Sequence, residues 1–178
     1  NVYCATFKQN EGSFLAGVAA GLSVEAGGTI GFIGGMDIPP INDFLIGYIE
    51  GAQSVNPDVK VINTYTGDYY DPAKGKEHGI VQFDQGAEVI FAAAGPSGLG
   101  AIEASVEKDR KMIGVDSDQS AAYAENGDTA TAEHIVTSMV KNVGDAIFMA
   151  IQKDLNGELQ WGTAESWHCR GWSRTCEK

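Results

Sequence analysis

The sequence is short of basic residues and of histidine. Its 178 residues include 12 Lys and Arg against 24 Asp and Glu, which gives a formal net charge of −12, and only 3 His. A surface this acidic repels phosphate backbones and anionic lipid headgroups, because proteins bind both through clustered Lys and Arg. We therefore expect no nucleic-acid partner.

Long apolar runs and a cysteine framework are also missing. No stretch reaches the roughly 18 apolar residues of a membrane-spanning helix, and no basic segment followed by an apolar one opens the chain. Cys4, Cys169 and Cys176 are too few and too unevenly spaced for a disulfide framework or a zinc ribbon. Whether Cys169 and Cys176 form a disulfide is left open. We expect no metal and no cofactor.

The composition favours a packed, turn-rich domain, with 43% hydrophobic residues and 23 glycines. From Val2 to Val115, short apolar runs alternate with turns and amphipathic stretches. This alternation predicts an α/β fold, a doubly wound and mostly parallel sheet with flanking helices. The predicted strands are Val2–Thr6, Thr29–Ile33, Val59–Thr64, Glu88–Ala93, Lys111–Val115 and, more weakly, His134–Ser138.

Helical periodicity fills the intervals between these strands. In Gly12–Glu25, the apolar residues Phe14, Leu15, Val18, Ala19 and Leu22 predict a face laid against the sheet. Asp71-Pro72 is typical of a helix start, with Gly86 past its end. The other predicted helices are Ile41–Val55, Ser97–Lys108 and Met139–Leu155.

Ligands of open α/β sheets bind beyond the carboxyl ends of the strands. The loops predicted there carry Met36 and Asp37, Tyr69 and Tyr70, Gly95, and Asp116 and Asp118. Carboxylates accept paired hydrogen bonds from vicinal hydroxyls, and aromatic rings stack on bases or sugars. A polar small molecule is therefore expected, although the two aspartates could equally cap turns and the tyrosines could equally serve packing.

Other motifs give weaker signals. The segment Gly95–Gly100 follows a strand and opens a helix, but its spacing fits neither a dinucleotide-binding loop nor a Walker loop. No Ser, Cys, His or acidic pair has the spacing of a nucleophile elbow or metal site, so we expect no enzyme. Lys141, predicted to open the last helix, could be functional or merely solvated.

Six segments stand out together: EGSFLAGVAAGL from Glu11, IGFIGGMDIP from Ile30, DPAKGKE from Asp71, DQGAEVIF from Asp84, IGVDSDQS from Ile113 and TSMVK from Thr137. They closely resemble one known family, the basic membrane proteins, which are substrate-binding lipoproteins of ABC transporters and include purine-nucleoside receptors. The resemblance covers roughly Asn1 to Leu159, and the tail WHCRGWSRTCEK does not share it.

The resemblance implies a type I periplasmic binding protein, in which two Rossmann-like lobes close on a ligand. It implies that residues 1–138 form the second lobe only, that 139–159 return to the first lobe, and that 160–178 are an atypical tail. Asp116 and Lys141 would bind the nucleoside ribose. The cleft would be lined by Met36, Asp37, Tyr69, Ala94 and Gly95.

An ABC permease would be the partner, and the location would be extracytoplasmic, either lipid-anchored or periplasmic. Two alternatives stay open: a ligand-sensing domain of a regulator or surface antigen, and a small hydrolase or transferase using Asp37 and Asp116. A lone lobe leaves the cleft and the face of the last helix uncovered, which predicts self-association.

Overall fold

The computed structural model describes residues 1–162 and the backbone of residues 164–168. The strands are Cys4–Lys8 (β1), Thr29–Gly34 (β2), Lys60–Tyr65 (β3), Ala87–Ala93 (β4), Lys111–Asp116 (β5), Ile135–Val140 (β6) and Ala164–His168 (β7). The helices are Gln9–Leu22 (α1), Pro39–Val55 (α2), Pro72–Asp84 (α3), Ser97–Lys108 (α4), Gln119–Glu125 (α5), Thr129–His134 (α6) and Val143–Leu155 (α7). Cys169 and Cys176 lie outside the described residues.

Five strands form one parallel sheet in the order β3-β2-β4-β5-β6, which confirms the predicted fold class. Successive residues of β4 alternate between two cores. Val89 and Phe91 pack with α1 and α2 on one face, whereas Ile90 and Ala92 pack with α3 and α4 on the other. Burial on both faces explains why these strands are continuous apolar runs.

The first predicted strand does not join this sheet, contrary to expectation. β1 begins at Cys4 and pairs in parallel with β7 in a separate two-stranded sheet. Its residues Cys4 to Thr6 are exposed. A strand with so little apolar side chain cannot fill a place that is covered on both faces.

The prediction that the large apolar residues of α1 face the sheet is also wrong. Leu15 is 50% exposed and Leu22 is 71% exposed, while small residues of the helix are buried. A methyl group at Gly17 would overlap the Tyr48 carbonyl oxygen, and one at Gly51 would overlap that of Phe14. α1 therefore packs on α2 backbone to backbone, which requires glycine at the contact.

The ends of α3 match the sequence prediction. Asp71 accepts a hydrogen bond of 3.2 Å from the Lys74 backbone N–H, and Pro72 is the first helical residue. Gly86, just past the helix, has φ 98°, which a glycine adopts without strain.

The last helix starts four residues later in the structure than the sequence predicts. Met139 belongs to β6, and α7 begins only at Val143. The segment 121–133, between β5 and β6, contains most of α5 and α6. In the part of the chain that the structure describes, no helix is long and apolar enough to cross a bilayer.

Candidate functional site

A cavity of about 230 Å³ opens at the carboxyl edge of the five-stranded sheet. The ends of β4 and β5, the start of α2, and the loops after β3, β4 and β6 form its walls. It is lined by Ile41, Phe44, Tyr69, Ala93, Gly95, Val115, Asp116 and Lys141. Ligands of doubly wound folds bind at this edge, so the cavity is the candidate site.

Asp116, the last residue of β5, lies in the cavity in a left-handed backbone conformation with φ 66°. Its carbonyl oxygen accepts a hydrogen bond of 2.9 Å from the Lys141 backbone N–H. Within the described residues its carboxylate has no hydrogen-bond or ion-pair partner. A left-handed non-glycine residue is uncommon, and at Asp116 this conformation ends β5 with a carboxylate at the cavity.

Lys141 follows β6 directly and lies in the loop before α7, not on the helix as predicted. Its ammonium nitrogen lies 5.1 Å from the centroid of the Phe7 ring and 6.0 Å from that of Phe44. No carboxylate of the described residues pairs with this ammonium. The cavity thus holds one carboxylate and one ammonium group, neither of them paired with another described residue.

Tyr69 contributes the aromatic wall. Its ring lies so close to Gly35 that a methyl group there would overlap the ring. Burial raises the pKa of the Tyr69 phenol, which is therefore neutral at physiological pH. The ring is available as a stacking face with a neutral hydroxyl.

The start of α4 holds the Tyr69 loop in place. The fully buried hydroxyl of Ser97 donates to the Asp68 carbonyl at 2.9 Å and accepts from the Asp71 N–H at 3.0 Å. The Ser97 N–H donates to the Tyr69 carbonyl at 2.9 Å. Three hydrogen bonds from one residue therefore fix the backbone on both sides of Tyr69.

We expect Ser97→Ala to lower the free energy of unfolding by about 1–2 kcal/mol, because the Asp71 N–H loses its acceptor. Urea unfolding measures the change. Ser117→Ala is the matched control, since the exposed Ser117 hydroxyl has no hydrogen-bond partner among the described residues. Equal unfolding free energies for the two variants would show that Ser97 does not clamp the loop.

Three residues expected in the cleft do not line the cavity: Met36, Asp37 and Ala94. The Asp37 carboxylate accepts a hydrogen bond of 3.0 Å from the Asn42 side chain, whose oxygen accepts from the Tyr65 hydroxyl. Ala94 is fully buried in the core beneath α3 and α4. Its neighbours Ala93 and Gly95 line the cavity instead.

The cavity also contains Ile41, Phe44 and Val115, which sequence reasoning did not assign to a site. Ile41 and Phe44 were predicted only as part of the helix Ile41–Val55. The signal that could have found them is their place in the first turns of a helix that starts at the sheet's carboxyl edge.

The glycine-rich segment after β4 is not built as a phosphate loop. The N–H groups of Ser97, Gly98 and Leu99 donate to the carbonyls of Tyr69, Gly95 and Pro96. A phosphate at the start of α4 would need these amides free. In the part of the chain that the structure describes, no three His, Cys, Asp or Glu side chains are grouped to hold a metal.

A sequence model of ABC transporter substrate-binding proteins, PnrA-like, matches residues 1–170. The ABC transporter nucleoside-binding protein BmpA of Lactococcus lactis is 35% identical over 96% of this chain and 51% of its own length. Basic membrane protein D of Borreliella burgdorferi is 35% identical over 91% of this chain and 46% of its own. The chain therefore spans about half the length of these curated relatives.

Solved structures agree on the fold. An ABC-transporter solute-binding protein of Aeropyrum pernix superposes with a TM-score of 0.78 at 28% identity, covering 92% of this chain and 46% of its own. A periplasmic solute-binding protein of Actinobacillus succinogenes, solved with D-allose, gives 0.70 at 13% identity, over 92% of this chain and 58% of its own. The second likeness concerns the fold alone.

The family match confirms the predicted family and corrects the predicted extent of the resemblance. It extends past Leu159 to residue 170, so the resemblance does not end before the tail. The family description is that of a substrate-binding protein and names no enzymatic activity. With a match over almost its whole length, the chain belongs to the PnrA-like family of ABC transporter substrate-binding proteins.

Proposed function

We propose that this chain forms one half of the ligand-binding cleft of an ABC-transporter receptor for purine nucleosides. The observation that carries the proposal is the cavity itself. Asp116 and Lys141 contribute a carboxylate and an ammonium that have no ion-pair partner in the described ranges, beside the aromatic rings of Tyr69 and Phe44. A nucleoside has a polar and an apolar end that match these two kinds of wall.

The charged pair suits a ribose. Vicinal hydroxyls can donate to the two oxygens of the Asp116 carboxylate, and the Lys141 ammonium can donate to a hydroxyl oxygen. Hydrogen bonds to charged groups are stronger than those between neutral ones. The sugar is therefore the part of the ligand that the polar side of the cavity would hold.

The Tyr69 ring and the apolar residues around it suit a planar base. A stacked heterocycle would gain from the ring face, and the neutral phenol could donate to or accept from the base edge. A 5′-phosphate fits less well, because the amides at the start of α4 are already paired. The expected preference is for nucleosides over nucleotides.

The cavity of about 230 Å³ lies below the usual range for a complete small-molecule site, roughly 300–1,000 Å³. We propose that a second lobe covers the ligand, with residues 1–138 as one lobe and 139–159 returning to the other. On α7, Ile147 is 55% exposed and Phe148 is 66% exposed, which supports a helix that packs elsewhere. Closure of the two lobes would trap the ligand.

In this proposal the receptor acts outside the cytoplasm, in the periplasm or on a lipid anchor, and delivers its ligand to an ABC permease. The name of the Lactococcus lactis relative, a nucleoside-binding protein, supports the ligand class. The exposed α7 face would also favour self-association of a single lobe, which sedimentation over a range of concentrations would detect.

Calorimetric titration tests the proposal. Adenosine, guanosine, inosine, ribose and adenosine monophosphate would be titrated into the chain and into a chimera that adds the half of the Lactococcus lactis relative which this chain does not span. We expect the chimera to bind a nucleoside at least about 100-fold more tightly than ribose, since stacking and base contacts are lost with the sugar alone. A chimera that binds ribose and nucleosides equally, or neither, would refute the nucleoside assignment.

A further inference from the structure

We propose that Phe7 is a positioning residue that holds the Lys141 ammonium at the cavity through a cation–π contact. The inference rests on the proposed function for its effect on ligand affinity, but the contact itself can be tested without any ligand. Phe7 is the fourth residue of β1 and is not part of the cavity wall. Any influence on the ligand must therefore pass through another side chain.

The geometry joins two segments that are far apart in sequence. Phe7 is partly buried and packs against the core between the sheet and helices α1 and α2. The Lys141 ammonium nitrogen lies 5.1 Å from the centroid of its ring, within the roughly 6 Å over which a cation is attracted by a ring face. Phe44, at 6.0 Å, stands at the limit of that range.

The backbone of Lys141 is fixed independently of this contact. Its N–H donates to the Asp116 carbonyl at 2.9 Å, and its carbonyl accepts from the Val143 N–H at 2.8 Å. The side chain beyond has several rotatable bonds, and no carboxylate of the described residues pairs with its ammonium. The aromatic faces are thus the groups that restrict where the charge lies.

A restricted ammonium favours binding because less side-chain freedom is lost when the ligand arrives. Removing the ring face while keeping an apolar side chain should weaken nucleoside binding about 3- to 10-fold, because the ligand must then immobilise a freely moving lysine side chain. Phe7→Tyr keeps the ring face and should bind within about twofold of the unaltered chain. A residue that served only core packing would not distinguish Leu from Tyr in this way.

The affinity test is a double-mutant cycle in the chimera described above. Phe7→Leu, Phe7→Tyr, Lys141→Met and Phe7→Leu/Lys141→Met would be titrated with the nucleoside that binds most tightly. We expect Phe7→Leu to have no further effect once Lys141 is Met. Phe14→Leu on α1 is the matched control, because Phe14 makes no cation–π contact with Lys141. Unchanged affinity in Phe7→Leu, or a loss that adds fully to that of Lys141→Met, would overturn the proposal.

The ligand-free test uses proton resonances of the lysine ε-methylene groups in the 178-residue chain, with the Lys141 signal identified by its loss in Lys141→Met. Ring currents should shift that signal upfield, and Phe7→Leu, unlike Phe14→Leu, should return it toward the other lysines. If no nucleoside binds to the chimera, the proposed function fails while this comparison still decides the contact. A Lys141 signal that Phe7→Leu does not move would overturn the positioning role.

Discussion

Asp116→Asn is expected to weaken nucleoside binding about 10- to 100-fold, because hydrogen bonds to a charged acceptor are each worth about 1.5–3 kcal/mol. The substitution removes the negative charge and one of the two acceptor oxygens. It preserves the backbone, since asparagine tolerates the left-handed conformation that Asp116 adopts at φ 66°. Alanine would be a poorer test because it would add backbone strain to the loss of the carboxylate.

The matched control is Asp118→Asn, two residues further along. Asp118 accepts a hydrogen bond of 3.1 Å from the Ala121 N–H at the start of α5, and asparagine caps helices as well as aspartate does. We expect Asp118→Asn to bind nucleosides like the unaltered chain. Calorimetry on both variants in the chimera measures the difference in nucleoside affinity. Equal affinities would show that Asp116 does not bind the ligand.

Gly51→Ala should lower the free energy of unfolding by about 3 kcal/mol, at the upper end of the range for overpacking. The added methyl group would overlap the carbonyl oxygen of Phe14 on α1. Backbone atoms on a neighbouring helix cannot rotate away as a side chain can, so the two helices must separate. Because α1 and α2 cover one whole face of the sheet, the separation would loosen the core that contains Tyr48 and Phe91.

Thermal unfolding followed by circular dichroism measures the effect. For a chain of this size we expect the midpoint to fall by about 6–12 °C, since 1 kcal/mol corresponds to roughly 2–4 °C. Gly144→Ala on α7 is the control, because nothing lies within 4 Å of the added methyl group. Alanine is the better helix former, so this variant should be unchanged or more stable by up to about 1 kcal/mol. A Gly51→Ala midpoint equal to that of Gly144→Ala would show that the helices do not touch there.

Much of the architecture could be predicted from local pattern. The predicted bounds of the four strands β2 to β5 differ from those in the structure by one residue or fewer at each end. The polar loops that follow them were therefore assigned to the correct edge of the sheet. Tyr69, Gly95 and Asp116 line the cavity found there, although their roles toward a ligand stay predictions.

Met139 to Lys141 were placed on the last helix for one reason. Lys141 follows an apolar run, Met139 to Val140, that continues smoothly into the periodicity of α7, so sequence reasoning extended the helix backwards through the end of β6. Strand and helix cannot be told apart by periodicity over so few residues. In the structure, β6 pairs with β5 as far as Val140, which lies opposite Asp116. The Lys141 N–H then donates to the Asp116 carbonyl, and this hydrogen bond holds Lys141 at the cavity.

The spacing of apolar residues along the chain is enough to predict the parallel sheet, the helices between its strands and the edge at which polar loops converge. Three contacts become visible only in the folded chain: β1 pairs with β7, the small residues of α1 are buried, and Phe7 lies against Lys141. Each depends on close approach between segments distant in the chain. Such contacts are set by the shapes of both partners, which no local pattern contains.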